Sequence, residues 1–289
     1  MKKFLLTLIF LGLVVALLMQ GWSIHSLRLK VRDLGDEVRQ QERERRALQQ
    51  KANAAQRGPK PEEKTADRQQ IEQQTSELRG LAFTSPVNYK MIDRAELSRV
   101  LVEKVKEQYT QQEMGDYSRA MSAMGLVPEG TDILKVMVSL YNEQVAAFYV
   151  PEERALYTFK DLIFSSNLDK MVLSHELTHV LQDQHFDLQK FPLKIKTDDD
   201  LALATSSLVE GDATVLMTRW YFETINDPAK MLGDLGAMLG QNTTKLREAP
   251  PYLRAMLMFP YQQGQQFAMA LYVAGGTKAI DAAFLNPPT

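Results

Sequence analysis

The spacing of apolar residues changes several times along this chain, and each change marks a different kind of segment. Residues 4–19 are an apolar run of 16, interrupted only by Thr7 and Gly12 and preceded by Met1-Lys2-Lys3. The run ends Leu17-Leu18-Met19-Gln20-Gly21-Trp22, without the small residues a signal cleavage site needs, so residues 1–23 read as an uncleaved anchor rather than a cleaved export signal. Extended through Trp22 and Ile24, it approaches the roughly 20 residues of a membrane span, with Trp22 suited to the interface. Ile24, Leu27, Val31, Leu34 and Val38 then alternate at spacings of three and four, the seam of a coiled coil. Gln41 and Arg45 end that seam, leaving a weak homodimer contact through residues 24–38 at most. Gly58-Pro59-Lys60-Pro61 breaks any helix, and residues 62–77 are polar. Residues 24–77 therefore read as a polar helical stalk or linker, and a folded domain is expected over 78–289.

Within that domain Asp93 and Glu96 cap a helix carrying Leu97, Val100, Leu101 and Val105 at helical spacing. A second helix is expected from Thr131-Asp132 toward Glu143. The period then falls to two, and residues 145–150, 151–154 and 155–159 read as strand, turn and strand. This hairpin is either ordinary core sheet or an edge strand beside a cleft, where an extended peptide adds main-chain hydrogen bonds. Ser166 and Asp169 open a helix over about 167–184, and Asp198-Asp199-Asp200 open another that carries Leu203 to Met217. After Asp227-Pro228 the chain is helical and rich in methionine, which fits core packing. Gly275-Gly276 is expected to separate two short final helices. No closing element is evident after them, so we expect the chain to continue beyond Thr289.

Composition narrows the chemistry. With 34 basic and 36 acidic side chains the net charge is -2, so no basic field recommends nucleic acid as a partner. There is no cysteine, which excludes disulfides, thiolate metal sites and a cysteine nucleophile. Any metal must be held by His, Asp and Glu.

Those residue types meet in His175-Glu176-Leu177-Thr178-His179, an H-E-x-x-H pattern. At about 100° per residue, His179 falls about 40° from His175, Asp183 about 80° and Glu176 about 100°. Leu173, Leu177, Val180 and Leu181 fall on the opposite side, where they anchor the helix in a core while two imidazoles and a carboxylate face outward. Two residues compete as third ligand. His185 has the metzincin spacing, but Gln182 stands where that pattern has its turn-forming glycine. On an unbroken helix His185 lies about 9 Å along the axis from His179, out of reach of a shared ion. Glu210, in a helix lined by the small residues Ala202, Ala204, Ser206, Ser207, Gly211 and Ala213, is preferred, because small neighbours allow close approach to the motif helix. Asp183 and Asp212 are both candidates for supporting a ligand by hydrogen bond.

His175 to His179 resembles, letter for letter, the motif of thermolysin-like gluzincin metallopeptidases, and Glu210-Gly211 is similar to the third-ligand segment of other gluzincins. The wider pattern HELTHVLQDQHFDL over 175–188, Glu210-Gly211-Asp212-Ala213-Thr214 and Phe259-Pro260-Tyr261 to Phe267 also resembles a group of bacterial membrane-associated or secreted H-E-x-x-H proteins. Two departures stand out. The gap from His179 to Glu210 is 31 residues, longer than in thermolysin, and the aspartate expected four residues after the ligand is Thr214.

The resemblance implies Zn2+ held by His175, His179 and Glu210, with Glu176 as general base in the hydrolysis of a peptide bond. An oxyanion donor is also required. Tyr157 on the hairpin, Tyr221 on the Glu210 face and Tyr261 are candidates, and Tyr261 is preferred because Phe259-Pro260 places it at a helix start. The expected architecture is α+β and predominantly helical: a zincin-like domain with a small sheet beside the motif helix, behind a membrane helix and stalk. The expected protein is a single-pass membrane peptidase, or a secreted one, acting on extracytoplasmic protein or peptide. The alternative is a non-catalytic binding or scaffold module on the same anchor.

Overall fold

The computed structural model describes residues 61–287, apart from 94, 95, 98, 101, 104–108, 145, 146, 160–165, 228, 232 and 235–243. The expected anchor and coiled-coil seam lie outside the described residues. Among those described, no single helix is long and apolar enough to cross a membrane; one bent pair of helices passes by length and composition, with an angle of 118° at the break.

The domain is mostly helical with one small sheet. In chain order it contains α1 (Pro61–Arg79), β1 (Tyr89–Ile92), α2 (Gln111–Ala123), α3 (Ile133–Gln144), β2 (Ala147–Val150), β3 (Ala155–Phe159), α4 (Asn167–Phe186), α5 (Asp199–Thr224), α6 (Thr244–Glu248), α7 (Pro251–Gly275) and α8 (Thr277–Leu285). The two capped starts foreseen before the motif helices are present. Ser166 Oγ accepts from the Asp169 amide at 3.0 Å, and Asp198 Oδ1 from the Leu201 amide at 2.9 Å. The Asp93 cap forms as well, accepting from the Glu96 amide at 2.8 Å. Helix α2, closed by a reciprocal Thr110–Glu113 capping box, lies in a stretch the spacing had not singled out.

The hairpin forms as expected, with a short 3-10 turn over Pro151–Glu153 and Arg154 in the left-handed region at φ 46°. Strand β3 sits in the middle of the sheet, antiparallel to β2 and parallel to β1. That leaves β2 at an edge. Tyr149 lies opposite Leu156, and both pack toward α4 in a core that includes Ile71, Leu173, Leu177, Val180 and Trp220.

Three expectations need correction. The polar stretch 62–77 is not a free linker, since α1 occupies it and buries Ile71, Thr75 and Arg79 along one stripe. The compact unit therefore includes α1 rather than starting at 78. The motif helix is not two-faced, because every residue from Leu173 to Asp183 is buried. Helix α5 covers its polar side and β2 flanks it. Finally, Pro260 does not break its helix. It lies inside α7, which runs 25 residues unbroken, so the segment before Gly276 is long, and Tyr261 sits mid-helix. A proline inside a helix costs about 3 kcal/mol, but α7 packs along α5 more extensively than any other pair of elements, and that contact outweighs the local penalty.

A candidate metal centre between α4 and α5

Helices α4 and α5 run antiparallel. Gln182, near the end of α4, meets Val209 and Asp212 of α5, whereas Leu173, near its start, shares a core with Trp220 and Tyr221. This pairing carries Glu210 to the level of the two motif histidines. His175 Nε2 lies 3.1 Å from Glu210 Oε2 and 3.1 Å from His179 Nε2, and His179 Nε2 lies 3.4 Å from the same Glu210 oxygen.

These separations test the donor set. A tetrahedral ion held at about 2.0–2.1 Å by three nitrogen or oxygen ligands spaces them about 3.3 Å apart. The observed triangle matches that spacing, so the three residues form a buried His-His-Glu group that could hold a metal ion. The two histidines are 8% and 7% exposed, while the Glu210 side chain retains 23% and marks the side from which the group is reached.

Electrostatics agree with a cation-seeking site. Burial opposes a charge on His179, but attraction to Glu210, their hydrogen bond and the nearby Glu176 outweigh it and raise its pKa to about 9. Burial likewise works against the Glu210 carboxylate, and the attraction of His179 with hydrogen bonds from both imidazoles holds it well below the usual carboxyl range. Glu176 moves the other way. Burial pushes it up and the Glu210 charge adds to that, against the pull of His175 and His179 and a hydrogen bond from the Tyr149 amide of β2.

Of the three tyrosines considered, only Tyr261 stands at the site, its ring centroid 6.1 Å from that of His175 with the planes 27° apart. Tyr157 donates to Glu153 at 2.5 Å, and Tyr221 to Asp234 at 2.8 Å; neither faces the histidines. His185 is also elsewhere, its Nε2 2.7 Å from the Ala82 carbonyl oxygen. The two aspartates separate cleanly. Asp183 accepts from the Tyr149 hydroxyl at 2.7 Å and from the Leu188 amide at 2.9 Å, tying the end of α4 to β2. Asp212 is joined to His179 through Gln182, whose Oε1 lies 2.9 Å from His179 Nδ1 and whose Nε2 lies 2.8 Å from Asp212 Oδ2. The same aspartate oxygen takes Arg79 Nε at 3.0 Å, and Arg79 Nη2 lies 2.7 Å from Asp281 of α8.

Gln182 and Arg79 were not foreseen. Gln182 had counted only as the missing glycine, although a helical count puts it about 60° from His179 on the ligand side. Arg79 offered no signal, lying at the end of a polar stretch. Two of the small residues of α5 also serve a partner that was not foreseen, since Gly211 and Ser207 meet Gly264 of α7.

Comparison of the chain with protein-family models, curated proteins and solved structures found no match in any of the three.

Proposed function

We propose that this domain is a zinc-dependent peptidase acting on extracytoplasmic proteins or peptides, held at a membrane by residues 1–23. The observation that carries the reading is the His175–His179–Glu210 triangle, at 3.1, 3.1 and 3.4 Å, with the buried carboxyl of Glu176 one residue from His175. A zinc ion held there supplies Lewis-acid polarisation of the scissile carbonyl and of the attacking water.

The chain's own residues do the rest. Glu176, its pKa raised by burial, takes a proton from water as the oxygen–carbon bond forms, then delivers it to the amide nitrogen as the carbon–nitrogen bond breaks. The Tyr149 amide holds that carboxylate in place from the edge strand β2. The same strand offers main-chain groups to a substrate in extended conformation. Tyr261, beside His175, is the donor for charge developing on the carbonyl oxygen.

The test measures bound metal and hydrolysis of a mixed peptide library for the wild type and Glu176→Gln. Zinc in both proteins, with cleavage only in the wild type, supports the reading. A folded wild type without zinc, or a variant that still cleaves, overturns it.

A further inference from the structure

We propose that Gln182 is a positioning residue that commits His179 to one tautomer, with the proton on Nδ1 and Nε2 free to bind metal, and that the Arg79–Asp212 ion pair sets its direction. This rests on reading His175, His179 and Glu210 as metal ligands.

Hydrogen-bond polarity runs in one direction along a buried chain of side chains. Arg79 can only donate, and its Nε reaches Asp212 Oδ2 at 3.0 Å with both side chains 1% exposed. Beside that guanidinium Asp212 is an acceptor, and the same oxygen takes Gln182 Nε2 at 2.8 Å. The second Gln182 amide proton goes to the Val209 carbonyl at 3.0 Å. Both donors of the amide are therefore spent on groups that only accept. Turning the amide over would set its oxygen against the Val209 carbonyl and the Asp212 carboxylate, and Gln182 is 0% exposed, so no solvent would relieve the clash. Only one orientation satisfies the chain, and it presents Oε1 to His179 Nδ1 at 2.9 Å. A carbonyl oxygen accepts, so Nδ1 must carry the proton. The remaining nitrogen, Nε2, is the atom 3.1 Å from His175 Nε2 and 3.4 Å from Glu210 Oε2.

A carboxylate bonded directly to a ligand histidine is the simpler way to fix a tautomer. Here an amide on the histidine's own helix transmits the direction from a carboxylate on α5, itself held by an arginine on α1. His175 has no such arrangement, since its Nδ1 is buried without a hydrogen-bond partner among the described residues. His179 is thus the ligand fixed in advance.

Zinc dissociation constants, measured by chelator competition on the whole chain, test this for the wild type, Gln182→Met, Asp212→Asn and Gln184→Met. Met at 182 keeps the volume and removes both roles of the amide, so affinity falls about 10–100-fold. Asn at 212 keeps an acceptor oxygen and loses the charge, giving a smaller loss. Gln184, bonded to Ser85 away from the site, is the control and leaves affinity unchanged. Unaltered affinity in folded Gln182→Met overturns the proposal while leaving the metal site standing; no zinc binding by the wild type overturns both. Nitrogen-15 NMR of the zinc-loaded wild type is an independent check that needs no variant. A slowly exchanging His179 Nδ1 proton is expected, and zinc on Nδ1 with the proton on Nε2 overturns the assignment.

Discussion

Gly211 and Gly264 cross backbone against backbone: a methyl group on Gly211 would sit 2.1 Å from the Gly264 carbonyl oxygen, and one on Gly264 would sit 2.2 Å from the Ser207 carbonyl oxygen. Helices α5 and α7 thus meet at van der Waals contact of their main chains, one residue from Glu210. Tyr261 lies three residues before Gly264 on the same helix, about one turn from this contact. Gly211→Ala or Gly264→Ala forces the helices apart and should lower stability by about 1–3 kcal/mol or more. Urea unfolding checks the loss, and an unchanged midpoint would show that the two helices accommodate the methyl group.

The choice of third ligand is directly measurable. Glu210→Ala should lose bound metal, whereas His185→Ala, whose ring faces the Ala82 carbonyl, should keep it. Elemental analysis after gel filtration distinguishes them, and the opposite result would move the site along α4. Chelation should also lower the melting temperature. With free zinc at 100 times its dissociation constant, binding contributes about 2.7 kcal/mol, or about 5–10 °C for a domain of this size.

Tyr261→Phe removes only a hydroxyl. If that group stabilises developing charge, kcat falls about 10²–10³-fold with zinc retained and KM little changed. A variant as fast as the wild type would show that Tyr261 serves only to pack on His175.

Thr214 stands where the gluzincin pattern has an aspartate, and its Oγ1 is buried without a hydrogen-bond partner, as is His175 Nδ1. Because α4 and α5 are antiparallel and Glu210 lies level with the histidines, the position one turn later on α5 faces the His175 side. Thr214→Asp should therefore supply the missing acceptor and tighten zinc binding. Weaker binding together with lower stability would show that the carboxylate is buried without reaching the imidazole.

Helix α1 belongs to the fold, so trimming it should be costly. Ile71→Ala removes a side chain only 2% exposed and should destabilise the domain by about 2–5 kcal/mol. A chain lacking residues 61–77 should fail to fold. Circular dichroism and denaturant titration test both, and a stable domain beginning at 78 would restore the linker reading.

Much of the site was legible because its geometry is local. His175, Glu176 and His179 share one helix, where angular spacing follows from the helix repeat alone. The hairpin at 147–159 and the caps at Asp93, Ser166 and Asp198 were legible for the same reason. That α1 packs into the domain was hidden because its buried stripe consists of Ile71, Thr75 and Arg79, one apolar residue among polar ones, and Arg79 is buried where Asp212 and Asp281 meet it from distant parts of the chain. Pro260 lies inside a continuous α7 because its local helix-breaking tendency is opposed by the long contact with α5, which lies far away in sequence.

The sequence by itself determined the residue types that can bind a metal, their spacing on α4, and the preference for Glu210 over His185, since each follows from backbone repeat and side-chain chemistry. Tertiary structure decided what surrounds them. It buried the polar side of α4, set Tyr261 beside His175 while bonding Tyr157 to Glu153 and Tyr221 to Asp234, and joined Gln182 to Asp212 and Arg79. Those relationships cross between helices far apart in sequence, and only the packing of whole elements, down to the contact of two glycines, fixes distances of that kind.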